Sequence, residues 1–414
     1  MFETLFSNST DSNRHKNAPW SKERERYLEH LIKVGYTRET VLRIAPCLLH
    51  VVRELKLSPS CHITLAQIRR TARRWLRGRP KPPTSGRQSA YEDFTQVATK
   101  WLRFLGLLCI PLKNQTKFED LLKNYLNCEE QERGISPVTL KNRSQFIRTF
   151  LCWYERRGCS LLLIQPTDID SFLAHQGRKR WSRRTIVTAV HALRSFFRHG
   201  ARCGWCPTSL ADTIEGPRVF NQETLPAGPR WEQVQAIISR VSTDEPSDIR
   251  DRAILMFLAI YGLRASEVSQ LRLQDIDWQR ERITVRRVKN QRTHVYPLLP
   301  VIGDALIRYL KEVRPRCAYS EVFLKLTAPL GSLSRWSIHN LTKKQFSALG
   351  IKTLHRGPHA LRHACASHLL AEGFSLKEIG DHLGHRSTAA TSIYAKVDLP
   401  HLQQVADFDL GGLS

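Results

Sequence analysis

Four residues in the last sixty of the chain have the types and spacing of a reactive site. His359 and Arg362 lie three residues apart, so they share one face if the segment is helical. Gly384 is placed to end a short helix, with His385 directly after it and Tyr394 nine residues further on. Short helices joined by glycine turns can bring these two histidines, the arginine and the tyrosine to one point.

Two upstream segments add further polar residues in a fixed order. In YGLRASEVSQLRLQDID, residues 261–277, Arg264 follows a Gly-Leu turn and Glu267 lies one helical turn further on. In ITVRRVKNQRTHVYPL, residues 283–298, two strand-like runs flank a turn that carries Lys289. Together with HALRH, LGH and the tyrosine, these segments resemble the tyrosine recombinases, the phage-integrase family of DNA strand-exchange enzymes. That family often flanks the lysine with glycines, which are absent here, so Arg292 stays as an alternative.

The resemblance implies covalent chemistry on a DNA phosphodiester. Tyr394 would attack the phosphorus and form a 3'-phosphotyrosine with a free 5'-hydroxyl, which keeps the bond energy for religation without ATP. Arg264 and Arg362 would hold the negatively charged pentacoordinate phosphorane. The resemblance implies neither a metal nor another cofactor, because the arginines supply the charge that Mg²⁺ supplies at other phosphoryl-transfer sites.

The remaining residues of the set would move protons or position other groups. Lys289 would act as the general acid for the leaving 5'-oxygen, and His359 would take the tyrosine proton. His385 would donate a hydrogen bond to the phosphate. Glu267 would support the site by orienting Arg264 or His359 without reacting.

Each of these residues also has an ordinary structural interpretation. The HxxR pattern alone is weak, because HALR occurs a second time at residues 191–194 with no partner motif. The order of the whole set across roughly 130 residues favours a site-specific recombinase. Two alternatives stay open: a type IB topoisomerase, which religates the same strand, and a non-enzymatic DNA-binding regulator derived from a recombinase.

The composition favours a polyanionic partner. Lysine and arginine number 64 against 38 aspartate and glutamate, which gives a net charge of +26 in 414 residues and a pI near 10.0. The sequence has no apolar run of membrane-spanning length and no export signal, so we expect a cytoplasmic, nucleoid-associated protein. The ten cysteines are then expected to be reduced, and the pair Cys203 and Cys206 has no second pair to complete a zinc site.

The sequence pattern predicts a helical DNA-binding domain over residues 20–110. Residues 1–19, the N-terminal lead, are expected to be disordered. Thr37 and Thr64 are placed to cap the starts of two of its helices. The helix after Thr64 carries five arginines and almost no acids: Arg69, Arg70, Arg73, Arg74 and Arg77. Their helical spacing forms a stripe suited to a row of phosphates.

Residues 115–215 repeat this helical plan and resemble the family's SAM-like core-binding domain. Arginines near a helix start gain nothing from the helix dipole, so phosphate is the simplest reason for them. The basic residues that we predict to contact DNA in this domain are Lys141, Arg148, Arg178, Lys179, Arg180, Arg183 and Arg184. The proline- and glycine-containing segment at residues 206–226 is interpreted as an interdomain linker.

The whole chain is therefore expected to be multidomain, with two all-α helical domains followed by an α+β catalytic domain. The catalytic domain, residues 225–414, has a small antiparallel sheet and a C-terminal tail. In the family such tails dock into a neighbouring protomer, which implies a homo-oligomer on double-stranded DNA: a dimer on each site and a tetramer in synapsis, with accessory recombinases as possible partners. The added N-terminal domain favours a recombinase of a transposon or other mobile element.

Overall fold

A computed structural model describes residues 2–6, 8–58, 61–77, 84–109, 116–179, 181–219, 228–287, 293–353, 356–385 and 391–397. The chain divides into two compact units, residues 109–221 and residues 1–108 with 222–414. Large hydrophobic cores lie within residues 2–108, 122–214 and 234–364, and a smaller one lies within residues 365–394.

The N-terminal part is a helical bundle. Its helices are α1 Phe2–Leu5, α2 Ser9–Asn17, α3 Ser21–Lys33, α4 Arg38–Leu55, α5 Leu65–Arg77 and α6 Thr84–Phe104, with short strands β1 Ile63–Thr64 and β2 Leu108–Cys109. The Thr37 side chain accepts a hydrogen bond from the Thr40 N–H and caps α4, as its position in the sequence predicts. The apolar faces of α3 to α6 meet in one core around Leu28, Leu48 and Trp101.

Residues 2–17 are largely helical, which corrects the disordered lead that we expected for residues 1–19. Phe2 and Leu5 are buried in the N-terminal core. The buried guanidinium of Arg24 donates hydrogen bonds to the carbonyl oxygens of His15, Ala18 and Pro19, at 2.6, 3.0 and 3.1 Å. These contacts join residues five to nine positions apart and follow no recognisable motif, so the pattern of the lead alone does not reveal them.

The second unit is also helical. It contains α7 Glu119–Gln131, α8 Pro137–Glu155, a 3-10 turn Leu161–Leu163, α9 Pro166–Lys179, α10 Arg183–Arg202 and α11 Leu210–Thr213. Cys206, Leu210 and Ile214 are buried in its core. The first part of the segment that we interpreted as a linker is therefore part of this folded unit, because its apolar side chains cover the end of the helical core.

The C-terminal domain combines helices with one small sheet. Its elements are α12 Trp231–Arg240, α13 Pro246–Ala259, α14 Ala265–Gln270, β3 Ile276–Asp277, β4 Arg282–Arg286, β5 Thr293–Pro297, α15 Pro300–Arg308, α16 Arg335–Ala348, α17 Pro358–Ala371 and α18 Leu376–Leu383, with short 3-10 or π segments at Leu273–Asp275, Tyr309–Val313 and Ser392–Val397. The strands are antiparallel in the order β3-β4-β5. Ile283 and Val285 alternate with more exposed residues and face the core. This architecture confirms the predicted fold class.

The helices in the described ranges are all too short or too polar to cross a membrane.

We expect Arg24→Met to loosen the first two helices. The substitution leaves one buried and two part-buried carbonyl groups without their donor, at a cost of about 1–3 kcal/mol for the buried one. Hydrogen exchange of the amides in residues 2–17 should become faster, while α13 keeps its protection. Arg26→Met, at an exposed position of the same helix, is the matched control. Equal protection of residues 2–17 in wild type and Arg24→Met would contradict this anchoring role.

Candidate active site

The turn between α13 and α14 places the first arginine. Gly262 has a φ of +58°, a left-handed conformation that glycine adopts without strain. A Cβ at this position would also lie 2.4 Å from a methyl carbon of Leu383. Arg264 then caps the start of α14, and its side chain is about one quarter exposed. The Gly-Leu-Arg order is therefore required by the backbone turn and by close packing against α18.

One buried carboxylate holds two guanidinium groups in this region. The Glu267 side chain is only 1% exposed, and it accepts hydrogen bonds from the Arg264 guanidinium at 2.8 Å and from the Arg264 N–H at 2.9 Å. The Arg287 guanidinium, which is also buried, donates to the same carboxylate at 2.9 Å. Burial by itself would raise the pKa of Glu267, but the hydrogen bond from the Arg264 backbone and the two positive charges lower it below its ordinary value. Glu267 is therefore ionised at neutral pH.

Arg362 joins two backbone turns that are far apart in the sequence. This α17 side chain donates to the carbonyl oxygen of Gly262 at 2.5 Å and to that of Leu383 at 2.7 Å. Burial, followed by repulsion from Arg264, lowers the pKa of Arg362 to about 10. The group remains charged at neutral pH. A cation fixed between the turns that precede Arg264 and His385 brings these two residues to the same side of the domain.

The end of α18 places His385. Gly384 ends the helix with a φ of +63°, and the His385 N–H donates to the carbonyl oxygen of Gly380 at 2.8 Å. Nδ1 of His385 lies 2.7 Å from the hydroxyl oxygen of Thr391, which fixes the orientation of the imidazole ring. Burial and then the charges of nearby arginines, Arg362 first, lower the pKa of His385 to about 4. The ring is therefore neutral at physiological pH and has one N–H to donate.

Tyr394 is buried in the short helical segment that follows. Its side chain is 2% exposed, and its hydroxyl oxygen lies 2.8 Å from Nδ1 of His363. Burial raises the pKa of Tyr394 to about 12, although the charge of Arg362 acts in the opposite direction. The phenol is thus protonated at neutral pH, and its attack on any electrophile requires a proton acceptor.

His359 is exposed and borders two clefts. The first, of about 590 Å³, is also lined by Arg264, Arg362 and the exposed Trp336. The second, of about 660 Å³, is also lined by His363. A ligand in the first cleft can therefore contact both arginines of the predicted set and His359.

The sheet is connected to this cluster by a second set of contacts. Arg287, just after β4, donates to the hydroxyl of Tyr296 on β5, and this hydroxyl donates to the carbonyl oxygen of His382 on α18. Because Arg287 also binds Glu267, one guanidinium links the sheet, α14 and α18. A Cβ on Gly384 would lie 2.6 Å from this guanidinium, so the glycine is also needed for this close approach.

The structure brings five of the predicted residues into one cluster and places a sixth at its edge. Arg264, Glu267, Arg362, His385 and Tyr394 form the cluster, and His359 lines its cleft. Lys289 and its alternative Arg292 lie outside the described residues. In the part of the chain that the structure describes, no group of three or more His, Cys, Asp or Glu side chains could hold a metal ion.

Sequence reasoning missed three residues of this site. Arg287 was hidden in a strand-like run next to the expected lysine, and Thr391 has no pattern of its own. His363 stands in the quoted HALRH segment, four residues after His359, so the i, i+4 spacing was the available signal.

The residues predicted to bind DNA fall into four groups. Those exposed on the surface without an ion pair to another described residue are Arg69, Arg70, Arg73, Arg77, Lys141, Arg178, Lys179, Arg183 and Arg184. Arg74 is exposed and donates to the carbonyl oxygen of Glu54 at 3.2 Å. Arg148 donates two hydrogen bonds to Glu119, at 2.6 and 3.1 Å, so it already has an anionic partner. Arg180 lies outside the described residues. In the second HALR segment, Arg194 donates to the carbonyl oxygen of Ile214 and has a structural role.

Two family profiles match the chain in the order of the fold. The Phage integrase family matches residues 230–401, and the Phage integrase N-terminal SAM-like domain matches residues 122–203. The chain is 29% identical over 415 residues to putative integrase/recombinase y4rF of Sinorhizobium fredii, which covers 98% of this chain and 95% of that protein. It is 34% identical to putative integrase/recombinase y4rA of the same organism, over 71% of each chain.

A solved structure with a similar fold is that of the Tn1549 transposon integrase in complex with transposon right-end DNA. The TM-score is 0.53 at 17% sequence identity, and the match covers 68% of this chain and 99% of that one. The family profiles, the relatives and the fold confirm the resemblance drawn from the motif residues. The chain belongs to the phage integrase family, the tyrosine recombinases.

Proposed function

We propose that this protein is a site-specific DNA recombinase that cuts and rejoins strands through a 3'-phosphotyrosyl intermediate on Tyr394. The observation that carries the proposal is the charge balance around the tyrosine. Arg264, Arg287 and Arg362 contribute three positive charges, and the buried carboxylate of Glu267 offsets one of them. A site with this excess of fixed positive charge, next to a hydroxyl nucleophile, suits a phosphodiester that gains negative charge during attack.

Each charged group has a defined task in this proposal. Arg264 and Arg362 hold the non-bridging oxygens of the phosphate, and their positions are fixed in advance by Glu267 and by two backbone carbonyl groups. His385 donates its N–H to the same phosphate. Glu267 acts as a positioning residue, since both of its oxygens are engaged by arginines.

The bond chemistry conserves energy. As the Tyr394 oxygen bonds to phosphorus, the bond to the 5'-oxygen breaks, and the 5'-hydroxyl of the same or another strand later reverses the step. We assign the protonation of the leaving 5'-oxygen to Lys289, as the sequence predicts. The exposed His359 borders the cleft with both arginines and is assigned to phosphate contact.

The rest of the chain supplies DNA-binding surface in this proposal. We keep the division into an N-terminal helical domain, a core-binding domain at residues 115–215 and a catalytic domain from residue 225. The five arginines of α5 are exposed along one helix, and the pairs Arg178 with Lys179 and Arg183 with Arg184 stand at the adjoining ends of α9 and α10. These positions suit phosphate contacts on double-stranded DNA.

We further propose action on a mobile element by a homo-oligomer. The N-terminal helical bundle adds binding surface beyond the two family-matched regions, which suits a long or asymmetric recognition site. A relative named as a putative integrase/recombinase matches nearly the whole chain, including this bundle. A dimer on each site and a tetramer in synapsis, with or without accessory recombinases, would carry out integration or excision.

Strand exchange between two DNA molecules tests the proposed function. Sites are first selected by binding from randomised duplexes, and two differently labelled duplexes with a selected site are then incubated with the full-length protein. We expect recombinant duplexes with wild type and none with Tyr394→Phe, which removes only the hydroxyl group. Relaxation of supercoiled DNA without exchange would instead identify a topoisomerase, and sequence-specific binding without either reaction would identify a regulator.

Replacing Arg69, Arg73 and Arg77 with Gln tests the α5 surface. If each arginine neutralises one phosphate, the slope of log K against log salt concentration becomes shallower by about 2.7, at about 0.9 per contact. The protected footprint should also become shorter. Arg308→Gln is the control, because Asp244 and Glu312 already neutralise that guanidinium. An unchanged slope and footprint in the triple variant would remove the N-terminal domain from the DNA interface.

A further inference from the structure

The hydroxyl of Tyr394 contacts the imidazole of His363, a residue to which the sequence motifs gave no role. Nδ1 of His363 lies 2.8 Å from the tyrosine oxygen, and the two ring centres are 5.7 Å apart. A hydrogen bond of this length lies within reach of direct proton transfer. The buried phenol keeps its proton at neutral pH, so a base at this position meets a chemical need of the proposed reaction.

His363 is also connected to the surface. The residue lies on α17 next to Arg362 and one helical turn after His359, so its ring shares a helix face with the exposed histidine. Its side chain is half-buried and lines the cleft of about 660 Å³ together with His359 and Arg356. A proton accepted from the buried tyrosine can therefore pass to a group or a water molecule in the cleft.

His359 is placed for a different task. It is exposed, and it borders the cleft that contains Arg264 and Arg362. His363 contacts the tyrosine hydroxyl, whereas His359 lies in the cleft that Arg264 and Arg362 line. Of the two histidines in HALRH, His363 therefore lies beside the proposed nucleophile and His359 beside the proposed phosphate-binding cleft.

We propose that His363 is a further catalytic residue, whose Nδ1 accepts the Tyr394 proton as the tyrosine oxygen attacks phosphorus. The inference rests on the proposed function and names the base for its first step. The O–H bond of Tyr394 breaks and an N–H bond forms on His363, while the new O–P bond replaces the bond from phosphorus to the 5'-oxygen. The leaving oxygen takes its proton from Lys289. On religation the tyrosine oxygen leaves phosphorus and recovers its proton from His363.

The charged surroundings of His363 allow this exchange. Among the described residues, the titratable groups near it include His359 and Arg362 on α17, His385 after α18, Tyr394, and the cleft residues His339, Lys343 and Arg356. Most of them are cationic or neutral, so they supply little negative charge to the imidazole. The phosphate then brings the negative charge that stabilises the imidazolium formed during attack.

Single-turnover cleavage distinguishes two roles for His363: general base for the tyrosine, or general acid for the leaving group. Full-length wild type, His363→Gln, His359→Gln and His368→Gln are compared on a nicked duplex with a selected site, made with either a 5'-oxygen or a 5'-sulfur at the cleaved bond. A sulfur leaving group needs no proton, but the tyrosine still has to lose one. We expect His363→Gln to cleave both substrates about 10²–10⁴-fold more slowly than wild type, the range for loss of a general base. His368, which stacks on Trp231 further along α17, is the control for the substitution itself.

The pH dependence and chemical rescue give readouts that a structural role would not change. The wild-type rate should fall as pH decreases through the pKa of the imidazole, because only its neutral form accepts a proton. His363→Gln should lack this limb and accelerate with rising pH as the tyrosine itself ionises. His363→Ala should be restored in part by added imidazole, with DNA binding at the wild-type level.

Three outcomes would overturn the inference. Cleavage by His363→Gln at the wild-type rate or faster would mean that the hydrogen bond between His363 and Tyr394 only holds the tyrosine in its resting position. Recovery of His363→Gln on the sulfur substrate would assign the histidine to the leaving group. Failure of imidazole to restore a folded, DNA-binding His363→Ala would exclude proton transfer at this position. If wild type itself forms no adduct, the proposed function fails as well, whereas an adduct formed equally by wild type and His363→Gln removes the inference alone.

Discussion

The site depends on the buried carboxylate of Glu267 and the two guanidinium groups that it holds. An ionised carboxylate and a buried arginine are both costly to remove from water, and removing one partner of such a pair costs about 3–5 kcal/mol. In Glu267 the cost of burying the carboxylate is offset because its two oxygens bind Arg264 and Arg287. The same contacts fix Arg264 at the start of α14 before any substrate arrives. The Arg264 guanidinium, which would bind a phosphate, is thus held in position because it also neutralises the buried Glu267 carboxylate.

Backbone turns extend this arrangement across the domain. Gly262 and Gly384 adopt left-handed conformations at the two turns that carry Arg264 and His385, and both glycines are closely packed against neighbouring side chains. Arg362 binds carbonyl groups at both turns, so residues that are about 120 positions apart in the chain share one cation. The positions of Arg264 and His385 and the packing of the domain are therefore coupled through a few helix ends.

The sequence allowed the fold class and most of the residues that cluster at the candidate site to be predicted, because glycine turns, helix caps and the order of the motifs depend on local chemistry. The three guanidinium groups were not all found, since Arg287 becomes part of the site only through antiparallel pairing of β4 with β5 and its contact with Glu267. The helical lead was missed for the same reason: its stability depends on Arg24, which comes later in the chain. The pairing of Arg148 with Glu119 joins α8 to α7 and could not be distinguished from a free basic residue by spacing alone.

The covalent adduct is the most direct measurement of the central claim. Full-length protein is incubated with randomised nicked duplexes and denatured, and the DNA retained on protein is sequenced while the modified peptide is identified by mass spectrometry. The account predicts a 3'-phosphate linkage to Tyr394, with one shared sequence at the cleaved position and a free 5'-hydroxyl on the other strand end. Retention of DNA through another residue, or specific binding with no adduct under any condition that supports cleavage by related enzymes, would contradict it.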